Sequence, residues 1–287
     1  MKAKPAKPSL HEETGTVTLS EGRTAYAWAG PTQGRPLVLL HGFALASWMW
    51  NPVFEHLARS GFRVLRYDLY GRGASDAPPG PYPPERFVRQ LTELLEALEW
   101  PSPTGLVGHS LGGVLAAHFA ARHPEKVVGL VLMGAPARPV RLGGMAELLR
   151  VPWLGEWLFV RLGGPRLRLG VQKDLQACLT DAPRLADATA FLESPAHLKA
   201  LYATLRDVLW RDPLPAYRTW GRHGKPTLAL WGARDTVVPP EHIADLRRAI
   251  PHLQVHLISE GRHLLPCHAP EQVVAHLKAF FFRLPKD

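Results

Sequence analysis

The sequence predicts an α/β protein: a mostly parallel central sheet with helices on both faces and a helical cap inserted between two strands. Three observations carry this. Four short runs, "RPLVLLHGF", "TGLVGH", "KVVGLVLMG" and "KPTLALWG", are continuously apolar rather than alternating, as strands buried on both faces must be. Segments of helical period separate them, which is the rhythm of strand–helix–strand units. One long stretch, from about Arg138 to Arg222, has helix-like pieces but no strand of that quality.

Taken in order, "TGTVTLSEGRTAYAWAG" holds two β-rich runs about a Ser-Glu-Gly turn and reads as a hairpin. "RPLVLLHGF" is the first buried strand, ending at His41-Gly42. "SWMWNPVFEHLARSG" has helical spacing and stops at Gly61. "FRVLRYDLYGRG" is a strand that breaks into a glycine loop. "PPERFVRQLTELLEALEW" places Phe87, Leu91, Leu94, Leu95 and Leu98 at helical period, with Pro84 near its start. A strand, a turn and a helix to about His123 follow, then the strand "KVVGLVLMG". Past the helical insertion come "KPTLALWGARD" and "LQVHLISEGRH", separated by the helical "PEHIADLRRAIP". "PEQVVAHLKAFFFRL" closes the chain as a helix. The expected division is a core of residues 1–137 and 223–287 with a cap of 138–222.

The 287 residues are 46% hydrophobic, enough for a large core. No apolar run is long enough to span a bilayer, and the Lys/Pro-rich start has no apolar segment of a secretory signal. The net charge of +9 is spread without a run of five Lys/Arg, so solubility rather than nucleic-acid binding is expected. Cys178 and Cys267 are too few for a disulfide framework and lack metal-ligand spacing, which favours a cytoplasmic protein with no metal and no cofactor. Oligomeric state is not legible.

Chemistry concentrates at "GHSLGG". Gly108-His109-Ser110-Leu111-Gly112 matches G-x-S-x-G, with a strand before it and a helix after. A nucleophile in such a strained strand-to-helix turn needs glycine on either side, because a Cβ would crowd it. Serine also needs a base and an orienting acid, which in this motif follow in the order Ser, Asp/Glu, His. "TLALWGARDTVVP" and "LQVHLISEGRHLLP" place Asp235 and His263 beyond the ends of later strands, where open α/β sheets gather their sites. The other position for the acid, after "VVGLVLMG", holds Ala135 and Pro136 and no carboxylate. His268 is the rival base, whereas His256 lies inside a strand run. Backbone N–H groups of Leu111 and Phe43 are the expected oxyanion donors, with Gly42 allowing close approach. Trp48 and His109 are candidate substrate contacts. The side chain of His41 and the carboxylate of Asp68 read as loop braces. "GRGAS" lacks the glycines and lysine of a phosphate loop and reads as a tight turn at the rim of the site.

Together, "HGF", "DLYGRGASD", "GHSLGG", "WGARDTVVP" and "GRHLLP" resemble the α/β-hydrolase superfamily, in its branch with an HG-F oxyanion loop and a helical cap, over residue 15 to the end. The resemblance implies the α/β-hydrolase fold, a triad of Ser110, Asp235 and His263, and a cap over the Arg138–Arg222 region. Relatives often carry Gly directly before the base; here Arg262 stands there and Gly261 one earlier.

Serine at the elbow excludes the branches that attack with aspartate. The expected reaction is ester hydrolysis through an acyl-enzyme, on a small-molecule ester with a small to medium apolar acyl or aryl group. Carbon–carbon hydrolase, lactonase, aminopeptidase and perhydrolase chemistry use the same triad, and a ligand receptor is the alternative from another class. A histidine base with an ordinary pKa near ~6.5 implies loss of activity below about pH 6. The cap carries 13 basic and 8 acidic residues and Trp153, Trp157, Trp210 and Trp220, which could line an apolar pocket or pack the cap onto the sheet.

Overall fold

The computed structural model describes residues 12–141, 143–175 and 182–285. The Lys/Pro-rich start and Cys178 lie outside the described residues. Cys267 is disulfide-bonded, so the low cysteine count no longer argues for a reducing compartment.

Eight strands form one sheet in the order β1-β2-β4-β3-β5-β6-β7-β8. The expected hairpin is β1 (Glu12–Leu19) and β2 (Gly22–Ala29), paired antiparallel, and β2 meets β4 (Phe62–Tyr67) antiparallel. From there β3 (Arg35–Leu40), β5 (Thr104–His109), β6 (Val127–Met133), β7 (Thr227–Gly232) and β8 (Gln254–Ile258) all run parallel. The continuous apolar runs are the central strands. Leu37–Leu40, Leu106–Val107 and Leu130–Met133 are shielded on both faces. Truncating one such leucine to alanine would cost about 2–5 kcal/mol.

Two helical layers provide that shielding. One holds α1 (Asn51–Arg59) with α10 (Leu265–His268) and α11 (Pro270–Phe281). The other is the series α2 (Pro84–Ala97), α3 (Leu111–Arg122), α8 (Leu214–Arg222) and α9 (His242–Ala249), each packed on the next. α1 and α2 are strongly one-sided, so each buries a single stripe: Val53, Phe54 and Leu57 in α1, Phe87, Leu91 and Leu94 in α2. α3 is apolar nearly all round and buried accordingly.

Between β6 and β7 lies a helical insertion: α4 (Leu154–Leu158), α5 (Gly164–Leu175), α6 (Ala182–Thr189) and α7 (Pro195–Thr204). π-turns at Phe159–Gly163 and Leu205–Leu209 interrupt the otherwise regular helical sequence. α8 lies within the 138–222 span yet packs on α3 and α9, beside the sheet: Tyr217 donates its hydroxyl to Pro136 O and the Trp220 indole donates to Thr227 Oγ1. The insertion is fastened to the loop after β4. Tyr82 N–H donates to Asp207 Oδ2 at 2.8 Å, and Gly71 approaches α7 so closely that a Cβ would lie 2.4 Å from the Ala200 methyl.

Candidate active site

Ser110 stands between β5 and α3 with φ 53° and ψ −120°, a left-handed backbone that costs a non-glycine residue about 1–3 kcal/mol. The turn is held by Ser110 N–H on Met133 O (2.8 Å) and Gly113 N–H on Ser110 O (2.9 Å). The flanking glycines are required by contact. A Cβ on Gly108 would lie 2.3 Å from Gly112 O, and one on Gly112 the same distance from Leu40 O. Leu111 N–H sits at the first turn of α3, where helix amides have no intrahelical partner.

Asp235 and His263 meet above the sheet. His263 Nδ1 lies 2.8 Å from Asp235 Oδ2, so the ring donates there and leaves Nε2 bare as a proton acceptor. The other carboxylate oxygen accepts the N–H groups of Val237 (2.9 Å) and Val238 (2.8 Å), which locks the acid's rotamer. The contact passes over Gly134, where a Cβ would fall 3.2 Å from both partners. The position after β6 that lacks a carboxylate is thus beside the contact itself. The two loops approach at glycines: a Cβ on Gly232 would lie 2.4 Å from Gly261 O, and Arg234 N–H donates to that oxygen. Glycine one residue earlier than usual therefore serves a backbone crossing, and Arg262 is left exposed. Among the described residues, His268, on α10, has no carboxylate hydrogen bond, and its Nδ1 is buried without a partner.

His109 is fully buried, and its Nε2 lies 2.9 Å from the backbone oxygen of His263. That nitrogen must carry the hydrogen. Nδ1 is then a bare acceptor pressed against Gly42, where a Cβ would lie 2.9 Å away. Burial, and secondarily the neighbouring His263, push its pKa well below the usual imidazole range, so the ring is neutral. His109 and Gly42, both read as candidate substrate contacts, are packed on one another beside the loop that carries His263. Trp48, half-buried, sits on the 3₁₀ turn Ser47–Trp50, which packs against α10 just past His263; its indole N–H is buried and unpartnered.

The loop carrying Phe43 is braced from below. His41 donates Nδ1–H to Gly42 O (2.8 Å) and accepts Leu69 N–H at Nε2 (3.0 Å). Asp68 accepts Ser47 N–H (2.7 Å) and Ala74 N–H (2.9 Å), as its loop-bracing reading requires. Sequence reasoning missed Arg72. It is fully buried, donates Nε–H to Phe43 O (3.0 Å) and Nη1–H to Tyr70 O (2.8 Å), and packs against the Phe43 and Phe87 rings. Burial lowers its pKa. Nothing in "GRGAS" distinguishes a buried arginine from a solvated one, since the signal is tertiary.

The profile of the family described as alpha/beta hydrolase fold matches residues 35–267, and the chain belongs to that family. An uncharacterized protein of Mycobacterium tuberculosis is 30% identical over 257 residues, 86% of this chain and 74% of its own. Lipase 1 of Psychrobacter immobilis is 27% identical, covering 93% of this chain and 84% of the lipase. Among solved structures, a thermophilic esterase from Thermogutta terrifontis is 25% identical with a TM-score of 0.75, covering 94% of this chain and 98% of the esterase. Esterases and lipases are thus among the relatives of this hydrolase-family chain.

Proposed function

We propose that the protein is a serine carboxylesterase in which Ser110 attacks the ester carbonyl, His263 is the base and Asp235 orients it. The observation that carries this is the 2.8 Å contact from His263 Nδ1 to Asp235 Oδ2, formed over Gly134 at the end of β6, where Met133 O accepts the N–H of Ser110 in its strained turn. His263 Nε2 takes the proton from Ser110 Oγ as that oxygen bonds to the carbonyl carbon. The resulting oxyanion accepts hydrogen bonds from the N–H groups of Leu111 and Phe43. Collapse of the intermediate expels the alcohol, which receives the proton from His263. Water, deprotonated by the same nitrogen, then releases the acid. Lipase and esterase relatives support an ester as substrate, and the apolar surroundings of Phe43 and Trp48 support a small to medium apolar acyl or aryl group.

Hydrolysis of p-nitrophenyl acetate and butyrate tests the reading. The native chain should turn both over, and Ser110→Ala should fall to the uncatalysed background. Full activity in that variant would refute it, and a native chain that binds esters without cleaving them would favour the receptor reading.

A further inference from the structure

We infer that the outer face of the cap, residues 145–169, docks on anionic lipid surfaces. This goes beyond the esterase reading and stands without it. Among the described residues, eight of the eleven large hydrophobic side chains left exposed fall in this one segment. Trp153 is 91% exposed, Met145 85%, Leu169 67% and Trp157 56%. Trp153, Trp157 and Leu169 border a groove of about 970 Å³ between α4, α5 and the start of α7. A patch of that kind on a chain alone in water marks an interaction surface.

Trp153 is held outward at a backbone cost. Its φ of 68° is disfavoured for a bulky residue, and it is fixed there by Gly155 N–H on Val151 O and Trp157 N–H on Trp153 O. The ring borders that groove rather than filling it, and among the described residues it is the most exposed of the large hydrophobics.

Charge selects the occupant. Around these apolar side chains, Arg141, Arg150, Arg161, Arg166, Lys173 and Lys199 are exposed, against exposed acids at Glu147, Asp174 and Glu193. Tryptophan and leucine beside arginine is the composition of a segment lying in the plane of a membrane interface, with rings at headgroup depth and guanidinium groups on phosphates. A second copy would bring the same positive surplus face to face on a chain whose net charge is already +9. A fluid lipid surface also accepts side chains that protrude singly, whereas a folded partner must match each one in shape.

Co-sedimentation of the full chain with phosphatidylcholine vesicles, with and without phosphatidylglycerol, tests this. Binding should be at least about tenfold tighter with phosphatidylglycerol and should weaken as salt rises. Trp153→Ala with Trp157→Ala should lower binding about tenfold or more, and Arg161→Glu with Arg166→Glu should remove the preference for anionic lipid, while both variants keep the native circular dichroism and thermal midpoint. No binding to either vesicle, or equal binding to both, would overturn the proposal. So would a concentration-dependent dimer broken by the tryptophan changes, which would make the face a self-interface. Capture on poly-glutamate without vesicle binding would assign it to an acidic protein instead.

Discussion

The imidazole of His109 donates to the backbone carbonyl of His263 across 2.9 Å, with the two ring centres 4.7 Å apart. The residue preceding Ser110 therefore positions the loop of His263 through its main chain. His109→Ala should lower kcat about ten- to a hundredfold with KM nearly unchanged, because a displacement of the order of 1 Å costs about 10²-fold. His109→Gln, which keeps a donor at a similar reach, should recover part of the loss. Steady-state kinetics on p-nitrophenyl butyrate checks both, and equal loss in the two variants would reduce His109 to packing.

Asp235 fixes which nitrogen of His263 carries the hydrogen. Asp235→Asn offers a carboxamide in its place and permits the wrong tautomer. A kcat loss of about 10⁴ is expected, by analogy with the corresponding change in a serine protease. Folding should be preserved, as judged by circular dichroism.

Arg72 spans Phe43 O and Tyr70 O beneath the loop that carries Phe43. Arg72→Met would leave both carbonyls without this donor. A stability loss of about 1–3 kcal/mol is expected in urea titration, with a fall in kcat larger than any change in KM. Unchanged kcat would show that the loop holds its shape without the guanidinium.

His41 gives a pH dependence of stability. Burial pulls its pKa from 6.5 to about 4, with Arg72 adding to the shift and Asp68 and the Gly42 carbonyl opposing it. The unfolded chain binds the proton more readily, so stability is full above pH 6.5 and is lost as pH falls toward 4, by up to about 3 kcal/mol. His109, lowered in the same direction, adds to the slope. Urea midpoints measured across that window should fall, and His41→Gln should flatten the profile; an unaltered slope would show that His41 contributes nothing to it.

Much of this was legible because the strands are buried on both faces. A run such as Leu37–Leu40 or Leu130–Met133 has few other places to go. Asp235 could be placed because it follows such a run, Thr227–Gly232, whereas His263 follows the largely exposed edge strand β8 and was placed by chain order. Contacts that depend on tertiary approach were not: His109 to His263 O spans 154 positions, and Arg72 is charged in a loop that looks solvated yet is fully buried. The tryptophans between Arg138 and Arg222 divided by environment. Trp220 is buried against Thr227 and Trp210 stands edge-on to Tyr202, whereas Trp153 and Trp157 face outward. Nothing in their local sequence separates the two pairs.

The most direct test of the central claim is covalent capture of the nucleophile. Incubation with a fluorophosphonate ester, followed by peptide mass spectrometry, should place one phosphonyl group on Ser110, and His263→Ala should slow its attachment by several orders of magnitude. Rapid labelling elsewhere with Ser110 left unmodified in the folded chain would contradict the account.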